Sequence, residues 1–178
     1  KLLATMFKNV SMSEVRKKSR RSNAIINNRI HWFSSKFSIY FTYFFINLGL
    51  SADAVTMVFF FIGLVGALSA LTGGLIGSII AYICWRLHII VDMSDGDVAR
   101  FNQSFSHRGK YWDAMIHTIL NPLFSLVIPL GAFFQSNDVH FVLLGIGLMF
   151  SQSILLATKY NFPSEAKISR SEEHTSEL

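Results

Sequence analysis

Apolar runs long enough to cross a bilayer alternate with short polar breaks over most of the chain. Residues 54–72, AVTMVFFFIGLVGALSALT, form the first run, and the glycine pair at 73–74 breaks it. A second run covers 75–91 and continues as helix into a charged stretch. A third begins near Lys110 and reaches about Phe134, with Pro122 and Pro129 inside it. A membrane helix tolerates such prolines because neighbouring groups re-satisfy the freed carbonyls. QSND makes the next turn, a fourth run covers 139–158, and Pro163 ends it. Each run approaches the roughly 20 residues that span the hydrocarbon layer as a helix. FSIYFTYFFINLGL, ahead of them, is too short to span comfortably. Residues 37–49 therefore read as an amphipathic interfacial helix with Tyr40 and Tyr43 at headgroup level, or alternatively as the start of a longer span. GLSADAVT then interrupts the run. The pattern predicts an all-α, polytopic membrane helical bundle of four spans, preceded by an interfacial helix.

Composition supports that class. Of 178 residues, 51% are hydrophobic and 15% charged, and the mean hydropathy is +0.40, which excludes an ordinary soluble domain. The single cysteine, Cys84, lies in an apolar run, so neither an intrachain disulfide nor a zinc cluster is expected. Net charge is +5, concentrated ahead of the first span. Lys1, Lys8, Arg16, Lys17, Lys18, Arg20, Arg21, Arg29 and Lys36 stand there against Glu14 alone. Beside a membrane domain, such an arm reads as lying on anionic lipid headgroups rather than binding nucleic acid. The 73–74 turn and QSND carry no lysine or arginine, whereas Arg100, Arg108, Lys110, Lys159 and Lys167 fall on the same side as the arm. The positive-inside rule then puts the N-terminus and the charged stretch at the cytosolic face. RSEEHTSEL, Arg170 to Leu178, reads like the translation of a sequencing-library adapter, with the natural chain expected to continue beyond about Ser169. The expected organisation is a basic cytosolic arm (1–36), a membrane-embedded domain (37–160), a cytosolic connector (161–169) and a non-natural tail (170–178).

The chemistry gathers in VDMSDGDVARFNQSFSHRGKYWDAMIH, residues 91–117. Asp92, Asp95, Gly96, Ala99 and Arg100 fall at i, i+3, i+4, i+7 and i+8 on one helix face, and Gly109, Asp113 and His117 at i, i+4 and i+8 on the next. A short loop makes the two stripes neighbours. Clustered carboxylates repel unless a cation neutralises them, and hard oxygen ligands favour magnesium or manganese over zinc. Each charge within a bilayer costs about 2.5–3.5 kcal/mol on insertion scales, so such residues are functional candidates by default. Gly96 and Ala99 leave the face without bulk, and Arg100 is placed to grip a phosphate. The plainer alternative is an acidic helix cap paired with Arg100, Arg108 and Lys110. Arg86 either faces the site or snorkels, and His88, one turn before Asp92, could extend the acidic stripe. Asp97 falls off the stripe, to pair with Arg100 or Lys110 or face solvent. Lys159 reads as a cytosolic flanking charge, and GGLIG at 73–77 could pack helices or join two copies in a homodimer.

DMSDGDVAR, eight residues, then GKYWDAMIH resembles the signature of the CDP-alcohol phosphatidyltransferases. Every fixed position matches except the last, where His117 stands in place of an aspartate. The resemblance covers about residues 37–160. It implies a fold of six membrane spans, of which four are present here. It also implies transfer of a substituted phosphate from a CDP-linked lipid donor, such as CDP-diacylglycerol, to a small alcohol acceptor, with release of CMP. Asp92, Asp95, Asp113 and His117 would hold one or two Mg2+ or Mn2+ ions, with His117 also in the place of the family's general base. Gly96, Ala99 and Arg100 would contact cytidine and phosphate, with Ser106 and Gly109 assisting from the loop and the second motif half. Asp53 and Thr56, in SADAVT, match the Asn and Thr that the family often places beside the nucleotide, Asp53 more loosely. Neutral imidazole can accept a proton or ligate a metal. The readings of His117 are therefore a histidine base, a base elsewhere, or a catalytically inactive relative. Outside the family reading, the same stripe could serve a cation-binding transporter or scaffold. A transporter should carry its polar groups near mid-membrane, whereas here charge gathers at one surface.

Overall fold

The computed structural model describes residues 10–19 and 29–161 and, among them, contains six helices and no strand. They are α1 (Met12–Ser19), α2 (Arg29–Asn47), α3 (Ala52–Ala70), α4 (Leu75–Phe101), α5 (His107–Ser136) and α6 (His140–Asn161). α3, α4, α5 and α6 are long and apolar enough to cross a membrane, which makes the chain a helical membrane bundle. α5 runs unbroken through Pro122 and Pro129. The tail at 170–178, the connector beyond Asn161 with Pro163, and arm positions 1–9 and 20–28 lie outside the described residues.

The connections from α2 through α6 are short because α2, α3, α4 and α5 each end in a closed turn. After α2, Leu50 N–H bonds the Phe45 carbonyl and Gly49 N–H that of Ile46, with Gly49 at φ 68°; glycine adopts this left-handed conformation without a Cβ penalty. The same pair of bonds closes α4: Ser104 N–H to Ala99 O and Gln103 N–H to Arg100 O, with Gln103 at φ 50°. Ser51 and Ser106 then cap α3 and α5, accepting from Ala54 N–H and Gly109 N–H.

α3 packs against both α4 and α5, while α4 and α5 do not pack along their lengths. The helices adjacent in sequence therefore splay, with α3 behind the opening. Two glycines on α3 permit this. A Cβ at Gly63 would run against Leu120 and stand 3.3 Å from His88 Nδ1, and one at Gly66 would stand 2.8 Å from Cys84 Cβ and 3.0 Å from Phe124. At the far end Gly73 sits on the Gly131 carbonyl and Gly131 on that of Ala70. GGLIG thus supplies close packing within the chain. The main core joins five helices through Val15, Ile39, Ile46, Val55, Phe59, Val91, Val98, Ile116 and Leu120. α6 packs on α5 and leaves Leu143, Leu144, Phe150 and Leu155 exposed, as a lipid-facing helix would.

Two features differ from the sequence reading. The amphipathic helix begins at Arg29 rather than near 37 and docks on α4 through a polar stripe. Ser34, Ser38 and Thr42 are buried there, with Ser94 Oγ donating to Ser38 O at 3.0 Å. Its opposite face exposes Phe37, Tyr40 and Phe44, while Tyr43 is half-buried. The arm also contains a helix, α1, which buries Val15 against α4 and α2 and exposes Arg16, Lys17 and Lys18. An eight-residue segment with one apolar anchor carries too little periodicity to be seen in sequence.

Candidate functional site

The acidic stripes of α4 and α5 meet at the polar end of the splay. His117 Nε2 lies 3.1 Å from Asp92 Oδ1 and 3.3 Å from Asp113 Oδ1. These three residues offer ligand atoms within 4.8 Å of one another. All are half-buried, so the group is shielded on the protein side and open on the other. Asp95 does not join them. Its Oδ2 accepts from Thr56 Oγ1 at 2.8 Å, a hydroxyl shared with the Ala52 carbonyl at 3.0 Å. Asp92 and Asp113 nonetheless lie within electrostatic reach of Asp95. Thr56 thus ties α3 to the second aspartate of the stripe.

Beside this group, Gly109 faces Asp53 and Ser106. An added Cβ would stand 3.0 Å from Asp53 Oδ1 and 3.0 Å from Ser106 Oγ. Asp53 also borders a hollow of about 420 Å3 with Ala54, Met57, Arg108 and Trp112. Ser106 is first of all the cap of α5, since its Oγ accepts from Gly109 N–H at 2.9 Å. Gly96 leaves space that the Arg100 guanidinium approaches, 3.4 Å from a Cβ position. Ala99 is half-buried on the same helix.

Arg100 is not delivered to the carboxylates. Its Nε donates to Ser19 O at 2.6 Å and its Nη2 to Asp97 Oδ1 at 2.5 Å. Eight residues along a helix leave it about 80° around from Asp92, close enough to the Asp97 side for that carboxylate and the end of α1 to capture it. Asp97 is buried rather than solvent-facing, and also accepts from Thr42 at 3.4 Å. Arg86 lies on the α2 side, its Nη2 3.5 Å from Ser34 Oγ. His88 does not extend the ligand group; it is buried, with Nδ1 3.1 Å from Phe59 O.

Two residues that the sequence reading did not single out complete the surroundings. Phe59 is fully buried and stacks on His117, with centroids 5.9 Å apart and planes at 25°. Trp85 stacks on His88 at 5.5 Å. Both read as ordinary apolar positions in sequence, because the periodicity that marks a core marks them equally. Farther along the splay, a cavity of about 850 Å3 opens among α3, α4, α5 and α6, with Trp85, Asn121, Phe124 and Ile128 among its lining. Asn121 is one turn beyond His117, so cavity and carboxylates share one face of α5.

Two carboxylate oxygens and one imidazole nitrogen, open on one side, match what magnesium or manganese takes while keeping water in its remaining positions. The nitrogen moves the preference toward manganese, a softer partner than magnesium. Without a cation the group satisfies itself, because ionised carboxylates only accept and the imidazole Nε2–H donates. A neutral imidazole has one lone pair, so His117 cannot ligate a metal and accept a proton in the same instant. No protein-family model matches the chain, and no curated protein matches it.

Proposed function

We propose that the chain is a CDP-alcohol phosphatidyltransferase, which moves a substituted phosphate from a CDP-linked lipid donor to a small alcohol and releases CMP. The observation that carries the reading is the meeting of Asp92, Asp113 and His117 from two helices at the polar end of an otherwise apolar bundle. Thr56 beside Asp95, and Asp53 beside Gly109, add the expected neighbours on α3. The active site faces the cytosol, with α1 and α2 on the same side.

Asp92, Asp113 and His117, with Asp95 behind them, would hold the ions, while Asp53, Thr56 and Gly109 would border the nucleotide. Magnesium or manganese, when bound, offsets the diphosphate charge and stabilises the oxyanion that develops on CMP. The acceptor hydroxyl oxygen bonds to the phosphorus that carries the lipid. The anhydride P–O bond breaks, and CMP leaves with the electron pair. His117 has one lone pair to give: through Nε2 it would complete the ion's ligands, whereas with Nε2 donating to Asp92 its Nδ1 would take the hydroxyl proton instead. The 850 Å3 cavity beyond Asn121 gives the donor's apolar part a place within the bilayer. Arg100, held by Asp97 and Ser19, acts in this reading as a strut between α4 and α1 rather than as a phosphate ligand.

The test is CMP release from CDP-diacylglycerol by membranes carrying the protein, with a pool of candidate alcohols, with and without magnesium or manganese, beside Asp92→Ala. Metal-dependent CMP release that the variant lacks is expected, and splitting the pool then names the acceptor. Failure of CMP to form from inserted protein that binds the nucleotide would sink the transferase reading for this donor.

A further inference from the structure

His88 lies one helical turn before Asp92 and is 1% exposed. A buried imidazole is costly unless its polar atoms are satisfied, and an apolar residue would fill the space without that demand. Its surroundings show what the ring does there. Nδ1 meets the Phe59 carbonyl at 3.1 Å; a carbonyl only accepts, so Nδ1 carries the hydrogen. The bond is possible because Gly63, one turn after Phe59, has no side chain in the way. The His88 ring meets Phe59 edge-on at 5.1 Å and His117 edge-on at 6.0 Å, while Trp85 stacks on it at 5.5 Å. Phe59 closes the triangle by stacking on His117 at 5.9 Å.

We propose that His88 is a positioning residue: bonded to the Phe59 backbone and backed by Trp85, it fixes the Phe59 ring, and the two rings hold the His117 imidazole with Nε2 toward Asp92 and Asp113. His117 has the carboxylates at one edge, the Phe59 ring stacked on a face and the His88 ring steeply inclined beside it, so ring rotation would have to displace fully buried side chains. This inference rests on the metal-site reading of Asp92, Asp113 and His117, and it adds a structural support that no carboxylate of the motif supplies. Removing partners that hydrogen-bond a ligating imidazole typically changes metal affinity by about 10–100-fold; ring contacts that fix its orientation are expected at the lower end.

The test uses Mn2+ and the whole chain in lipid nanodiscs. Mn2+ uptake is followed by electron paramagnetic resonance, and the coordinated imidazole by its 14N coupling in the echo modulation. Wild type is expected to bind Mn2+ with a single-imidazole coupling, which His117→Asp abolishes while binding persists. His88→Leu should weaken uptake about tenfold and lose or shift the 14N coupling. His88→Asn, which keeps an N–H near the Nδ1 position, should lose less. Phe59→Leu should repeat the His88→Leu result and carries the test if that variant fails to insert. An unchanged affinity and coupling in both His88→Leu and Phe59→Leu would overturn the positioning role alone. Absence of Mn2+ uptake by inserted wild type, or uptake without 14N coupling, would overturn the metal-site assignment of His117 and the role of His88 with it.

Discussion

His117→Asp restores the carboxylate that the signature leads one to expect, and its effect on the cation-free protein can be worked from the geometry. In place of a donor shared by Asp92 and Asp113, the variant sets a third acceptor among ligand atoms that now lie within 4.8 Å of one another. At an effective dielectric constant of about 20, two unit charges at that separation repel by roughly 3.5 kcal/mol. Asp113 is 46% exposed, so water screens its share, and only the Asp92 pair is counted, reduced to about 2 kcal/mol for the same reason. Loss of the Nε2–H donor to Asp92 adds about 1 kcal/mol. Stability should fall by roughly 3 kcal/mol, or about 6–12 °C in Tm for a chain of this size. The assay is thermal unfolding in nanodiscs with chelator, repeated with saturating Mn2+ or Mg2+. Cation at about 100 times its Kd returns about 2.7 kcal/mol to either protein; at one fixed cation concentration the variant should rise further, because its binding also relieves a carboxylate repulsion that wild type lacks. A cation-free His117→Asp protein that melts at or above the wild-type temperature would refute the self-satisfied cluster.

Thr56→Val removes the hydroxyl that reaches Asp95 while keeping the side chain's shape; a loss of about 1.5 kcal/mol is expected in unfolding experiments, with Thr56→Ser near wild type. Arg100→Gln should unhook α1, so trypsin should cut faster at Arg16, Lys17 and Lys18 while Mn2+ affinity stays within about twofold. Mn2+ should raise the wild-type melting temperature more than Mg2+ at equal concentration, because imidazole nitrogen suits manganese better. The gap should narrow in His117→Asp, where all three facing ligands are oxygens.

The spans were legible because a run of some 20 apolar residues has few other structural uses. All four lie within a few residues of their expected places, and Gly73, Asn137 and Pro122 behave as turn or tolerated-proline residues should. The meeting of Asp92, Asp113 and His117 also follows from helical spacing and a short loop. Spacing could not give the partners across helices. Asp92 and Asp95 are both on the stripe, yet one faces α5 and the other Thr56 on α3, a choice set by α3 sitting behind the splay. Arg100 belongs to the stripe by number, but a long side chain goes to the nearest acceptors, here Asp97 and a carbonyl of a helix 81 residues earlier. Ser34, Ser38 and Thr42 recur at i, i+4 and i+8, which was readable; that they face α4 was not, because a polar stripe on an interfacial helix suits water equally well.

The single lone pair of His117 separates the two roles the signature would give it. In the arrangement described, the hydrogen is on Nε2, between two carboxylates, and the lone pair is on Nδ1. A cation entering between Asp92 and Asp113 takes the Nε2 lone pair only after that hydrogen has left or moved to Nδ1, and the ring then has nothing with which to accept the hydroxyl proton. Mn2+ uptake through His117 should therefore release or relocate a proton and strengthen as pH rises, whereas uptake through the aspartates alone should depend less on pH in the neutral range. The 14N coupling in the presence of CDP and Mn2+ decides between them. Persistence makes His117 a ligand and requires another base. Its loss on nucleotide binding, with Mn2+ retained, frees the imidazole for the proton.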